Sequence, residues 1–129
     1  MIAITDLPIY NQDYDAPGAT PECYEVFRRQ VKECDAFLFV TPEHNRASPA
    51  LLKNGLDSGS RPNSDSAWDG KPGAIISVSP GAMGGFGGNN IARQTMACLN
   101  VRIMPQPEAY LGSIAASIGP DGKVNSERT

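Results

Sequence analysis

Ala36-Phe37-Leu38-Phe39-Val40 is apolar at every position. A strand with one wet face alternates apolar and polar residues, so an unbroken apolar run predicts a strand covered on both faces of a parallel sheet. Gly73-Ala74-Ile75-Ile76-Ser77-Val78-Ser79 predicts a second such strand, ended by Pro80-Gly81. Val101-Arg102-Ile103-Met104 predicts another, and Ile2 to Ile9 a first strand that runs into a polar loop from Asn11 to Gly18. Parallel neighbours require crossover connections, and segments with helical periodicity lie between these runs.

Thr20-Pro21-Glu22 has the makings of a helix start: a hydroxyl cap, a proline where no N–H is needed, and an acid at the positive end. Cys23, Phe27, Val31 and Cys34 then recur at helical spacing, which makes both cysteines packing groups on a core-facing stripe. Ser48-Pro49 opens a second helix through about Leu56, and Ser58 to Gly70 is a polar loop in which Trp68 either shields a pocket or anchors the loop. After a glycine-rich stretch to Gly88, Asn89 or Asn90 caps a helix reaching Leu99. Strands alternating with helices specify an α/β domain with a parallel sheet.

With 129 residues the chain suits a single domain, 1–129. Eleven Lys and Arg against fourteen Asp and Glu give a net charge of -3. That balance lacks the basic footprint of a nucleic-acid partner. No apolar run approaches the roughly 20 residues of a bilayer span, so no membrane partner is expected. Met1 to Asp6 lacks the basic start of a signal peptide. Cys23, Cys34 and Cys98 are odd in number and contain no CxxC, so a disulfide framework or zinc site is not expected and a cytoplasmic location is. The domain reads as truncated at both ends: it opens on a strand with nothing before it, and Ser126 resembles the cap of a helix that never follows.

In open parallel sheets ligands sit beyond the carboxyl ends of the strands. Two bends occupy that edge, Thr41 to Ser48 and Ser79 to Asn90. Glycines 81, 84, 85, 87 and 88 suit close approach of peptide N–H groups to a flat or anionic ligand, or equally a mobile surface loop. Their spacing fits neither phosphate fingerprint: Asn90 stands where the third glycine of GxGxxG belongs, and no Gly-Lys-Ser/Thr run exists. Pro42-Glu43-His44-Asn45 reads either as a binding segment whose backbone and Asn45 amide meet a heteroaromatic edge, or as a tight turn. His44 is the single histidine and has no partners spaced for acid–base or metal work, so neither a catalytic cluster nor a metal site is expected.

Asp6-Leu7-Pro8-Ile9-Tyr10-Asn11-Gln12-Asp13, Val40-Thr41-Pro42-Glu43-His44-Asn45, Pro49-Ala50-Leu51-Leu52-Lys53-Asn54-Gly55-Leu56-Asp57 and Ser79-Pro80-Gly81-Ala82-Met83-Gly84-Gly85 occur in one order. Together they resemble the NAD(P)H-dependent FMN reductase family, which includes bacterial quinone, chromate and azo-dye reductases, over about residues 3 to 125. The resemblance implies a flavodoxin-like three-layer α/β fold with a parallel sheet, here incomplete: the first strand and helix, with the phosphate-gripping loop, and the last helix are missing. It implies noncovalent FMN that takes a hydride from NADPH or NADH and passes electrons to a small acceptor such as a quinone, chromate, an azo or a nitro compound. It also implies a homodimer or homotetramer, with the Arg61 loop near a subunit interface.

The cofactor-binding positions that match are Pro42, Glu43, His44 and Asn45 against the ring, largely through backbone, and Ser79 with Gly81, Gly84 and Gly85 along its pyrimidine side. His44 replaces the family's usual tyrosine, which alters stacking or packing beside the flavin. No catalytic acid, base or nucleophile is implied, because the flavin carries the chemistry. The alternatives are a flavodoxin-like electron carrier, for which -3 is a modest charge, and an inactive fragment that does not hold FMN.

Overall fold

The computed structural model describes residues 1–124, so the cap expected at Ser126 lies outside the described residues. In chain order the elements are α1 (Glu22–Glu33), β1 (Phe37–Pro42), α2 (Ala50–Gly59), β2 (Pro72–Val78), α3 (Phe86–Cys98), β3 (Arg102–Ile103) and β4 (Ala109–Leu111). The sheet is parallel throughout, with β2 between β1 on one side and β3 and β4 on the other. Phe37 pairs with Gly73 and Pro42 with Val78, while Ile76 to Val78 pair with Ala109 to Leu111. The α/β reading with a flavodoxin-like parallel sheet therefore holds.

One sheet face carries the whole core. Paired residues in a parallel ladder point the same way, so Phe37, Phe39 and Thr41 share a face with Gly73, Ile75 and Ser77. Trp68 seals that face from the side of α1 and α2. Its ring lies 5.0 Å from Phe37, 6.0 Å from Phe39 and 6.1 Å from Phe27 of α1, and its Nε1–H donates to Leu56 O of α2 at 2.9 Å. Of the two roles read for Trp68, it is the anchor. Helix α3 covers the other end of the same face through buried Ala92 and Met96, and buried Asn89 donates through Nδ2 to Ser77 Oγ at 3.1 Å. The opposite face is bare at β1, where Leu38 is 62% and Val40 64% exposed. The unbroken apolar run predicts cover on both sides, whereas among the described residues the helices pack on one face, into a single core cluster.

Ile2 to Ile9 is not a strand. Among the described residues no strand pairs with it, and a side chain supplies the hydrogen bonds a ladder would have given. Asn54 Oδ1 accepts from Tyr10 N–H at 2.8 Å, and Asn54 Nδ2 donates to Pro8 O at 2.9 Å and Leu7 O at 3.3 Å. Asn54→Ala leaves those peptide groups unpaired, so it is expected to cost about 1–3 kcal/mol in a urea melt and to open the segment to proteolysis near Leu7.

Helix boundaries shift for similar reasons. Pro21, not Thr20, is the N-cap of α1, because the Thr20 hydroxyl donates to Tyr14 O at 2.8 Å. Cys23 packs partly buried against the core as read, while Cys34 is the C-cap of α1 and its thiol donates to Gln30 O. Lys71 caps that helix end, its ammonium donating to Val31 O at 3.0 Å, Lys32 O at 2.5 Å and Cys34 O at 2.6 Å. α2 begins at Ala50 with Pro49 as N-cap and runs past Leu56 to Gly59. α3 begins at Phe86 behind left-handed Gly85, so neither Asn89 nor Asn90 is its cap. At its far end Asn100 adopts a φ of 57°, and Val101 N–H donates to Met96 O at 2.9 Å, closing a Schellman motif with asparagine in the left-handed position. The strand expected at Val101–Met104 shrinks to Arg102–Ile103, and the sheet's far edge is completed by β4, which the sequence reading did not include.

Candidate functional site

β1, β2 and β4 run parallel, so the turns after Pro42, Val78 and Leu111 emerge at one sheet edge. The first is a two-residue hairpin. His44 N–H donates to Ala47 O and Ala47 N–H to His44 O, both at 2.9 Å, while Asn45 (φ 51°) and Arg46 (φ 65°) take the left-handed conformations of a type I′ turn. Asparagine tolerates that geometry well; arginine there is held by its context. The tight-turn reading of this segment is correct as local structure. Turn peptides of this kind aim their N–H groups outward, and those of Asn45 and Arg46 have no partner among the described residues.

The second bend runs from Ser79 to Gly85. Ser79 N–H donates to Leu111 O at 3.1 Å and its hydroxyl to Gly81 O at 3.1 Å, while Gly81 O also accepts from Ser113 N–H at 3.0 Å. Gly81 and Ala82 are exposed, and their N–H groups also have no partner among the described residues. Gly84 (φ 59°) and Gly85 (φ 78°) are buried. A Cβ on Gly84 would lie 2.5 Å from Tyr110 C and 2.8 Å from Gly112 N; one on Gly85 would lie 3.0 Å from Ser77 Cβ. These two glycines let the bend cross the end of β4 and turn into α3.

The two bends are bonded to each other. Glu43 Oε2 accepts from Gly88 N–H at 2.8 Å, in the first turn of α3, and Glu43 Oε1 accepts from Arg46 Nη1 at 3.3 Å. Arg46 Nη1 also lies 3.4 Å from Met83 Sδ. Glu43 is therefore engaged as a structural acceptor, and its carboxylate complements the positive end of α3. Beneath the bends, Asn89 Oδ1 accepts from Arg93 Nε at 2.9 Å. Tyr110 packs with its ring tilted 58° and 5.3 Å from that of Phe86, and its buried hydroxyl has no hydrogen-bond partner among the described residues. Burial raises its pKa above the usual phenol value, so it stays neutral at physiological pH.

The structure thus gathers the sequence-derived residues into one region with divided roles. Pro42, His44, Asn45 and Gly81 are exposed along the edge and Ser79 is half-buried; Glu43, Gly84 and Gly85 hold the bends in place. Gly88, Ser48, Gly112 and the N–H groups of Arg46 and Ala82 belong to the same region and were not singled out as site residues. The Gly87-Gly88 pair carried a signal for Gly88; Gly112 carried none, since its partner, the Gly81–Ala82 backbone, is distant in sequence. Cavities of about 340 Å³ near Leu7 and Phe27, and about 370 Å³ near Arg61 and Asn100, are lined by none of these residues. Among the described residues no group of three His, Cys, Asp or Glu side chains is placed to hold a metal, and no helix is long and apolar enough to cross a membrane.

Residues 1–116 match the family model of NADPH-dependent FMN reductase. The chain belongs to this family. It is 50% identical over 127 residues to a quinone reductase of Pseudomonas putida, covering 98% of this chain and 68% of that one. It is 43% identical over 128 residues to a 2-hydroxy-1,4-benzoquinone reductase of Burkholderia sp, covering 99% and 69%. Among solved structures it superposes on FerB, a flavoenzyme NAD(P)H:(acceptor) oxidoreductase from Paracoccus denitrificans, with a TM-score of 0.88 and 34% identity, over 98% of this chain and 69% of that one. The chain therefore spans about two thirds of the length of these relatives. The expectation of a flavin reductase using FMN and NAD(P)H agrees with this family.

The donor set fits such a cofactor. An isoalloxazine presents carbonyl oxygens and ring nitrogens that gain negative charge on reduction, and unpartnered peptide N–H groups complement them without adding a fixed charge. The first bend supplies the N–H groups of Asn45 and Arg46, and the second those of Gly81 and Ala82 among others.

Proposed function

We propose that this protein is an FMN-dependent NAD(P)H:quinone-type oxidoreductase whose two bends hold the flavin ring. One observation carries the reading: two bends with unpartnered peptide donors emerge at one edge of a parallel sheet and are tied together through Glu43 and Gly88. When bound, FMN supplies the hydride and electron transfer. The chain's part is to bind, orient and tune. Asn45 and Arg46 donate peptide N–H groups from the hairpin, Gly81 and Ala82 from the second bend, and the Asn45 carboxamide and His44 imidazole lie exposed beside them. The hydrophobic rim of Pro42, Met83 and Phe86 offers flat contact for the ring and an aromatic acceptor. Half-buried Glu43 and buried Gly84, Gly85 and Asn89 set the spacing of these groups.

The acceptor class favoured by the relatives' names is a quinone. A homodimer or homotetramer, cytoplasmic location and an interface beside the Arg61 loop complete the reading; three unpaired cysteines suit a reducing compartment.

Purified protein mixed with FMN, NADPH and a benzoquinone is expected to oxidise NADPH steadily without any partner protein, at a rate that saturates with FMN. An electron carrier would oxidise NADPH only after a separate reductase is added, and that result would rule the enzyme out.

A further inference from the structure

Both hydrogen bonds between the hairpin and the first turn of α3 fall on the backbone of Gly88. Gly88 N–H donates to Glu43 Oε2 at 2.8 Å, and Gly88 O accepts from the Ser48 hydroxyl at 3.1 Å. Glu43 stands on the leg of the hairpin that leaves β1, and Ser48 on the leg that enters α2. Both legs therefore grip the two polar groups of residue 88, in the first turn of the helix that the second bend opens. The fit is close: a Cβ on Gly88 would meet Ala47 O at 3.1 Å and Glu43 Cβ at 3.3 Å, and one on Gly87 would meet Glu43 Oε2 at 3.0 Å and Arg46 O at 3.1 Å. Glu43 is mostly shielded, its side chain 12% exposed, so its bond is not one that water readily replaces.

We propose that Glu43 and Ser48 form a two-point clamp on the backbone of Gly88 that fixes the hairpin against the second bend, making Glu43 a positioning residue for the flavin ring. This rests on the functional reading above. Two sets of donors on separate bends serve one rigid planar ligand only when their separation is set beforehand, since ordering them at binding would consume affinity. The carboxylate acts through the geometry of the bends, without itself needing to touch the ring. A glutamine in its place keeps a carbonyl acceptor for Gly88 N–H, whereas alanine leaves that N–H orphaned in a helix first turn.

The test uses Glu43→Ala, Glu43→Gln and Ser48→Ala with two readouts. The first is the exchange rate of the Gly88 amide, followed by NMR in flavin-free protein. The second is the FMN dissociation constant, with the absorbance band of the bound flavin. Glu43→Ala is expected to speed Gly88 exchange and to weaken FMN about tenfold or more, the loss appropriate to one charge-assisted bond. Glu43→Gln should restore most of both, and Ser48→Ala should fall between. Unchanged Gly88 exchange in Glu43→Ala would overturn the clamp. Faster exchange with FMN affinity within twofold of wild type would overturn its role in positioning. Wild-type protein that binds no FMN would instead overturn the functional reading, and with it the positioning role.

Discussion

Gly84→Ala is expected to cost about 3–5 kcal/mol in a denaturant melt, because it combines a left-handed backbone with a collision against chain that cannot yield. At φ 59° any Cβ is strained, and here it would also lie 2.5 Å from Tyr110 C and 2.8 Å from Leu111 N. The obstacle is backbone at the end of β4, held in the sheet by its pairing with β2, so rotating a side chain gives no relief. Gly18 supplies the control. Its φ is 78°, yet nothing lies within 4 Å of a Cβ there. Gly18→Ala should therefore show the conformational penalty alone, about 1 kcal/mol. Equal losses at the two positions would mean that the bend does not sit against β4 as described. Displacing the bend would also move the Gly81 and Ala82 donors, so Gly84→Ala should lose FMN affinity even in the folded fraction.

The second large effect is at Trp68. Its ring touches Phe27 of α1 and both Phe37 and Phe39 of β1, and its Nε1–H is bonded to Leu56 O of α2. Trp68→Ala opens a cavity between two helices and the sheet and removes one of the two hydrogen bonds to Leu56 O, at an expected cost of about 3–5 kcal/mol. For a chain of this size that is a drop of roughly 10–20 °C in Tm by calorimetry. The loss should be larger than for Asn54→Ala, whose bonds lie nearer the surface. A Trp68→Ala protein melting within a few degrees of wild type would show that the loop before β2 is not the keystone of this face.

Local pattern showed the parallel sheet plainly. Apolar runs at Phe37 and Gly73 and the helical spacing of Cys23, Phe27 and Val31 gave the right elements, because burial in those segments follows their own sequence. What the pattern could not show was which surfaces meet. Leu38 and Val40 read like Phe37 and Phe39, yet only the latter pair lies under Trp68; the difference is set by where the helices fall. Ile2 to Ile9 looked like a strand, but a strand needs a partner, and the Asn54 amide took that place. β4 was missed because three residues between turns carry too little periodicity.

The site was legible in outline. The bends at Pro42 and Ser79 were found from strand ends and turn residues, and they do share one edge. Their inner workings depended on contacts distant in sequence. Glu43 reads as a solvated loop acid until Gly88 is placed beside it, 45 residues on. Nothing near Gly84 and Gly85 in sequence shows that a side chain there would meet Tyr110 and Ser77.

The most direct test of the account is an FMN titration followed by amide resonances in ¹H–¹⁵N spectra. The amides of Asn45, Arg46, Gly81 and Ala82 should shift together, along one saturation curve, while those around Arg61, Asn63 and Asn100 stay still. Shifts confined to only one bend, or centred on the Arg61–Asn100 cavity, would contradict a ring held jointly by both bends.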